Sequence, residues 1–217
     1  MQFAIGLYDG FTALDAIGPY AVFTNVPDSE VVVCGSRRGV LADETGLLRF
    51  DVERTFDDVT RPDVVLVPGG VITRRLARDG APIVDWLRAV HETTTVTTSV
   101  CTGALLLGAA GLLTGRRATT HWLALDQLRA YGATPCTERV VADGKVRAGA
   151  GVAAGIDLAL QLVGELQGPP TAQAIQLGIE YDPQPPYDTG SPAKAPTVIR
   201  ELVTGVMAAA EAETLAG

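Results

Sequence analysis

Cys101 is the residue of this sequence best suited to nucleophilic chemistry. A β-branched run at residues 94–100 precedes it, and an Ala- and Leu-rich run at residues 103–110 follows it. The first run predicts a strand and the second a helix. Cys101 therefore falls at a strand-to-helix turn, which presents a nucleophile at the end of a strand, and the first free amides of the helix favour its thiolate. A buried structural cysteine is the alternative interpretation.

Asp15 is the candidate acid. It stands in an apolar context at the start of a helix predicted over residues 14–25. One interpretation is an N-cap, which Asp serves well and which the residues alone favour. The other is a carboxyl held beside the thiol, where burial next to an anion raises its pKa and keeps it protonated.

Glycine amides, a hydroxyl and an imidazole could complete the site. Gly69 and Gly70 follow a predicted strand at residues 63–67 and form either a simple turn or, with the Thr102 amide, a site for a developing anion. The Thr102 hydroxyl either begins the helix or holds water or substrate beside the thiol. His121 either packs against a neighbour or acts as a base for Cys101.

The predicted elements that position these residues alternate between strands and helices. This alternation predicts an α/β fold with a mostly parallel sheet covered on both faces. Residues 39–50 predict either a hairpin or an excursion of the chain, and residues 140–146 predict a hairpin from their Asp-Gly turn. If the strands that precede Asp15, Gly69, Cys101 and the Gly149-Ala150-Gly151 turn are neighbours, their ends converge on one pocket.

Composition excludes several classes of protein. The chain has 217 residues, 47% of them hydrophobic, and a net charge of −8, which argues against a nucleic-acid surface and against a basic membrane-binding patch. No apolar run is long enough to span a membrane, and the N-terminus reads as a strand and not as a signal peptide. Three widely spaced cysteines fit a reducing cytoplasm, and no Cys/His spacing indicates a metal site.

Six segments resemble the PfpI-type branch of the class I glutamine amidotransferase-like superfamily and, within it, the bacterial isocyanide hydratases. The resemblance covers nearly the whole chain. The segments lie at residues 14–19, 67–70, 99–113, 118–122, 151–157 and 179–192. The elbow and the His121 segment point to the superfamily, whereas Asp15 and the proline-rich segment point to the hydratases.

The resemblance implies a flavodoxin-like three-layer sandwich with a cysteine nucleophile elbow. It implies one domain over residues 1–217, with the segment 183–217 packing on it, and a homodimer in the cytoplasm. Cys101 would be the nucleophile, Asp15 the acid that contacts it, and Thr102 a flanking residue. The Gly70 and Thr102 amides would bind the anion, and no cofactor or metal would be needed.

The chain departs from the patterns of this superfamily in three respects. Peptidase and glyoxalase branches carry His after the nucleophile and Glu at the acid position, whereas this chain has Thr102 and Asp15. Known hydratases tend to have Ile-Thr where this chain has Val152-Ala153, which bears on the size of the substrate pocket. Val71 is bulkier than expected after Gly69-Gly70.

The resemblance implies hydration of an isocyanide to an N-substituted formamide through a thioimidate on Cys101, with Asp15 as general acid and base. Two alternatives stay open. One is a stand-alone ligand- or redox-sensing domain, because the sensor domains of AraC-type regulators share the elbow. The other is a deglycase-type stress protein.

Overall fold

The central sheet has seven strands and brings the predicted site residues together at the carboxyl ends of its parallel strands. The computed structural model describes residues 1–216. The strands of the chain are β1 (Gln2–Gly6), β2 (Glu30–Gly35), β3 (Gly39–Ala42), β4 (Arg49–Val52), β5 (Arg54–Thr55), β6 (Val64–Val67), β7 (Val96–Val100), β8 (Arg117–Ala118), β9 (Thr134–Pro135), β10 (Val140–Asp143) and β11 (Val146–Gly149).

Helices cover both faces of this sheet. They are α1 (Ala13–Phe23), α2 (Thr73–Asp79), α3 (Pro82–His91), α4 (Gly103–Ala109), α5 (Ala154–Gln167), α6 (Pro169–Gly178) and α7 (Thr197–Ala216). Helix α5 packs against α1 and α6, whereas α4 packs against α2 and α3. The resulting three-layer α/β arrangement, with a mostly parallel sheet, confirms the predicted fold class.

The order of the strands in the sheet is β10-β11-β7-β6-β1-β2-β5. Every neighbouring pair is parallel except β10 and β11, which form the predicted hairpin. Strands β6 and β7 lie in the middle, and all of their residues are buried, as expected for strands covered on both faces. The strands that precede Asp15, Gly69, Cys101 and Gly151 are consecutive neighbours, so the predicted convergence of their carboxyl ends is confirmed.

Some elements differ from the expectation. The predicted helix at residues 123–131 is a 3₁₀ helix over Trp122–Tyr131, and a second 3₁₀ helix, over Phe56–Asp58, was not anticipated. The strand predicted at residues 118–120 is the two-residue β8, which pairs with β9 outside the main sheet. No helix in the described part of the chain combines the length and the apolar character needed to cross a bilayer.

Candidate active site

Cys101 occupies the turn between β7 and α4 in a left-handed backbone conformation. Its φ is +56°, which is strained for a residue with a side chain. Two hydrogen bonds hold the strained residue in place. The Cys101 N–H donates to the Gly149 carbonyl at 3.0 Å, and the Thr120 hydroxyl donates to the Cys101 carbonyl at 2.7 Å. The predicted strand-to-helix turn is therefore present, and Cys101 as a whole residue is 6% exposed.

Gly103 allows helix α4 to begin directly behind this elbow. A Cβ at this position would lie 2.4 Å from the Val67 carbonyl oxygen at the end of β6. Any larger residue would push the helix away from the sheet. The close approach of α4 to β6 thus fixes where Cys101 sits relative to the loop that follows β6.

Asp15 is not the N-cap of α1. The cap position is Thr12, and Asp15 is the third helical residue. Its side chain is fully buried, and its Oδ2 accepts a hydrogen bond from the Gly69 N–H at 2.8 Å. The capping interpretation is wrong because the helix begins three residues earlier than a cap at Asp15 would require.

The Asp15 carboxyl lies beside the Cys101 thiol. Burial raises the pKa of Asp15 from 3.8 to about 7, against the opposing hydrogen bond from Gly69, and repulsion from Glu44 raises it further. The Cys101 thiol lies close enough to hydrogen-bond to the carboxyl weakly, which lowers this pKa. Oδ1 itself accepts no well-formed hydrogen bond from the described residues. Near neutral pH the carboxyl therefore exchanges its proton readily and has a lone pair to offer.

The resting form of Cys101 differs from the expectation of a thiolate. Burial raises the pKa of the thiol well above its ordinary value, and the charge of Asp15 raises it further. The Thr102 amide and hydroxyl act in the opposite direction, as predicted for a helix start, but they are weaker. The expectation of a stable thiolate is wrong because the desolvation of a buried sulfur outweighs the nearby amide.

Thr102 links the loop after β6 to the elbow. Its Oγ1 accepts from the Gly70 N–H at 2.9 Å and lies 3.0 Å from the Gly70 carbonyl oxygen, to which it can donate. The Gly69 N–H is bound to Asp15. The amide of Gly70, predicted to bind an anion, is thus already paired in this structure, while the Thr102 N–H faces the sulfur.

A cavity of about 810 Å³ opens onto Cys101 and Thr102. Gly70, His121 and Val152 also line it, so the structure brings these predicted residues together around one space. His121 is not among the groups that shift the pKa of Cys101. Burial lowers the pKa of His121 itself, and the positive charge of Arg74 lowers it further. The imidazole of His121 is therefore neutral at ordinary pH and lies on the cavity wall.

Sequence reasoning missed the outer part of this cavity. Helix α7 folds back across it, and the ion pair between Arg74 Nε and Glu211 Oε1, at 2.6 Å, fastens the helix to α2. Glu44, from the turn between β3 and β4, also lines the cavity. The segment 183–217 was expected to pack on the domain, but nothing in the sequence indicated that α7 would line the cavity, and Glu44 lies in an ordinary turn.

Tyr8 is a further missed residue. Its hydroxyl donates to the Pro68 carbonyl at 2.6 Å and steadies the loop that carries Gly69 and Gly70. Burial, together with the charges of Asp15 and Cys101, raises its pKa, so the hydroxyl stays protonated as a donor. Within the described residues, no cluster of three His, Cys, Asp or Glu side chains could hold a metal ion.

Comparison with known proteins gives consistent results. The model of the DJ-1/PfpI family matches residues 1–165. An isonitrile hydratase of Pseudomonas putida is 43% identical over 199 residues, which cover 92% of this chain and 86% of the relative. The crystal structure of a ThiJ/PfpI family protein from Pseudomonas syringae superposes with a TM-score of 0.90 at 36% identity, over 98% of this chain and 90% of that one.

A more distant relative has a different role. A helix-turn-helix transcriptional regulator of Pseudomonas aeruginosa is 38% identical over 95 residues, which cover 43% of this chain and 28% of the regulator. Sequence similar to part of this chain therefore also occurs in a transcriptional regulator.

Proposed function

The chain belongs to the DJ-1/PfpI family, and from that premise we propose that it is an isocyanide hydratase, which converts isocyanides into N-substituted formamides. One observation carries the proposal: a buried carboxyl, Asp15, whose pKa is near neutrality, lies beside a nucleophilic thiol on a strained elbow that lines a cavity. The similarity to an isonitrile hydratase along 92% of the chain supports the same reaction.

In the first step, the sulfur and the proton of the Cys101 thiol both add to the terminal carbon of the isocyanide. Asp15 accepts the thiol proton as Sγ bonds to that carbon, and then delivers the proton to the same carbon. The product is a thioimidate, in which the carbon carries one hydrogen, the sulfur and a double bond to nitrogen. The thiol proton ends on the substrate carbon, and Asp15 returns to the carboxylate form in which it began the step.

The second step consumes water. Asp15, ionised again after its proton has left, removes a proton from a water molecule that attacks the thioimidate carbon. Asp15 passes that proton to the nitrogen, which gives a tetrahedral adduct with a hydroxyl on the carbon. The carbon–sulfur bond then breaks as the hydroxyl proton moves, through Asp15, to the sulfur, so the formamide carbonyl forms and the thiol of Cys101 is restored. One isocyanide and one water give one formamide, and the thiol is unchanged.

The raised pKa of Cys101 suits this sequence of events. A thiol that keeps its proton until substrate arrives brings that proton to the reaction, and Asp15 only has to transfer it. Thr102 lowers the pKa of the thiol through its amide and hydroxyl, which stabilises negative charge on sulfur while the bond forms. General acid–base assistance of this kind contributes about 10²–10⁴-fold to a rate.

The same thiol argues against a redox sensor as the main role. Oxidation by peroxide follows thiolate character and exposure, and Cys101 is 6% exposed with a raised pKa. A peroxide sensor needs an exposed cysteine whose pKa is lowered.

Formation of formamide from a simple aryl or alkyl isocyanide is the test. We expect turnover by the purified protein, none by Cys101→Ala, and unchanged turnover after treatment with a metal chelator. A mass increase equal to one isocyanide on the peptide that contains Cys101, trapped at early times, would identify the thioimidate. Absence of turnover, with peroxide sensitivity as the sole difference between the protein and Cys101→Ala, would favour a redox role.

We also propose that the protein forms a homodimer, as the resemblance to this family implies. Large apolar side chains at the surface support an interface, among them Leu14 at 43% exposure and Leu177 at 78%. Sedimentation velocity at micromolar concentration tests this: a single species at the mass of one chain would contradict it.

A further inference from the structure

The cavity above Cys101 has a floor and a rim of different character. Cys101 and Thr102, each 6% exposed, form the floor. The rim carries the exposed side chains Glu44 and Glu213, and Glu211 lies between the two levels with its side chain 30% exposed. A ligand whose reacting carbon touches the sulfur must therefore direct its far end towards carboxylates.

The wall between floor and rim is apolar. It is formed by residues from four parts of the chain: Val71, Ile72, Leu123, Val152, Met207 and Ala208. Two of them belong to α7, which lies beyond residue 165, where the family match ends. Helix α7 thus adds both apolar wall and acidic rim to a site whose nucleophile belongs to the shared core.

Glu44 is held so that its charge faces the cavity. Its Oε2 accepts a hydrogen bond from the Thr12 hydroxyl at 3.0 Å, and the Val71 N–H also donates to it. Neither partner is charged, so the carboxylate is oriented without being neutralised. Its field reaches the reacting groups, because repulsion from Glu44 contributes to the raised pKa of both Asp15 and Cys101.

Positive charge at the cavity is already paired. Arg74 is the one permanently cationic side chain among the described residues that line it, and its Nε contacts Glu211 at 2.6 Å and Gln127 Oε1 at 3.0 Å. His121 is neutral at ordinary pH because burial lowers its pKa. Three carboxylates on the rim and wall therefore face one guanidinium, and the fully buried Asp15, with its unpartnered Oδ1, lies beneath them.

From this arrangement we infer that the site selects isocyanides with an apolar body and a positively charged or neutral far end, and rejects those with an anionic far end. The inference rests on the proposed function for the identity of the reacting group. An ammonium group would meet Glu44 and Glu213 across the apolar wall. A carboxylate at the far end would be repelled by Glu44 and Glu213. Its one attractive partner, Arg74, would first have to leave Glu211.

Thiol modification measures this selection without requiring catalysis. Two methanethiosulfonates with the same ethyl arm, one ending in trimethylammonium and one in sulfonate, react with Cys101 at rates that depend on the local potential. The ratio of these rates, followed at the Cys101 peptide by mass spectrometry near pH 8 and at low ionic strength, is compared with the ratio for 2-mercaptoethanol. We expect the cation-to-anion ratio at Cys101 to exceed the reference about tenfold, and to approach it at about 0.5 M salt.

Two variants test the assignment to the rim. Glu44→Gln keeps an oxygen for Thr12 and Val71 but removes the charge, so the ratio should fall about three- to tenfold. Glu53→Gln makes the same change at an exposed residue outside the cavity and should leave the ratio unchanged. Equal effects of the two substitutions would overturn the assignment to Glu44.

Turnover of two isocyanides that differ only in an ammonium or a carboxylate at the far end completes the test. We expect kcat/KM to favour the ammonium compound, with Glu44→Gln reducing that preference. Hydration of both at equal kcat/KM, or modification rates that favour sulfonate, would overturn the inference while the proposed function stands. A retained modification ratio with no hydration of any isocyanide would refute the proposed function and support the charge selection.

Discussion

Replacing Asp15 by Asn should make the protein more stable and less active. The pKa of Asp15 rises from 3.8 to about 7 on folding because the carboxyl is fully buried. A group whose folded-state pKa is raised favours the folded state below its ordinary pKa, and this advantage is lost as the pH rises from about 4 through about 7. Above that window, the ionised carboxyl opposes folding by about 4 kcal/mol.

Asn cannot ionise, but its side-chain oxygen can still accept the hydrogen bond from Gly69. Its effect on the free energy of unfolding should therefore depend on pH. From the same shift, the carboxyl opposes folding by about 2 kcal/mol near pH 5, where it must take up a proton on folding, and by about 4 kcal/mol near pH 8, where it is buried as a charge. The stability of Asp15→Asn relative to the parent protein should thus increase by about 2–3 kcal/mol between these two pH values.

Urea unfolding of both proteins at the two pH values measures this difference. Any cost of the amide that does not depend on pH cancels between them, and Asp51→Asn, at an exposed residue of β4, is the matched control. A relative stability that is the same at both pH values would refute a raised pKa at Asp15. The control should show no such increase.

Activity and thiol reactivity should change in opposite directions in the same variant. Hydration should fall about 10²–10⁴-fold, because the group that transfers the proton is gone. Alkylation of Cys101 by iodoacetamide should become faster, because the charge of Asp15 no longer raises the pKa of the thiol. Loss of both reactivities together would indicate a distorted elbow and contradict the assigned role.

Three further substitutions test the framework of the site. Cys101→Gly should be about 1 kcal/mol more stable than Cys101→Ala in thermal unfolding, because its φ of +56° strains any residue with a Cβ; equal stabilities would contradict that strain. Thr102→Val should destabilise the protein by about 1–3 kcal/mol by leaving the Gly70 amide and carbonyl unpaired, and Thr102→Ser should retain most of that stability. Gly103→Ala should cost at least about 2 kcal/mol because its Cβ would lie 2.4 Å from a carbonyl oxygen of β6, whereas Gly164→Ala, with only ordinary contacts in α5, should be neutral or stabilising.

The sheet could be predicted from the sequence because its strands are marked by local composition. β-branched runs define β2, β6 and β7, and their alternation with helices is typical of a parallel order. The convergence of four strand ends at Cys101 followed from that order. Local pattern was sufficient where neighbouring residues decide the structure.

The chemistry of the site could be predicted only in part. The positions of Asp15 and Thr102, on which their proposed roles rest, depend on hydrogen bonds to Gly69 and Gly70, more than thirty positions away in each case, and no local signal encodes these bonds. The pKa of Cys101 was misjudged because the helix start is visible in the sequence, whereas the depth of burial that opposes it is not. Contacts between segments that are distant in the sequence therefore determine both where Asp15 and Thr102 lie and how deeply Cys101 is buried.

The direction of α7 lay beyond sequence reasoning for the same reason. An Ala-rich helix is easily recognised, but the ion pair of Arg74 with Glu211 determines where it rests. The turn that supplies Glu44 gave no indication either, since its carboxylate becomes significant only when the hairpin folds towards Thr12. Charged rim residues are thus found from tertiary structure and not from motif.

The return of α7 to the cavity has a practical consequence for anyone who prepares this protein. Thr214, in the last turns of that helix, lies on the cavity wall, so an affinity tag or fluorescent fusion appended after α7 would emerge at the entrance and compete with incoming molecules. Strand β1 begins at Gln2, at the amino ends of the parallel strands, on the opposite edge of the sheet from Cys101. Tags for kinetic work therefore belong at the amino terminus.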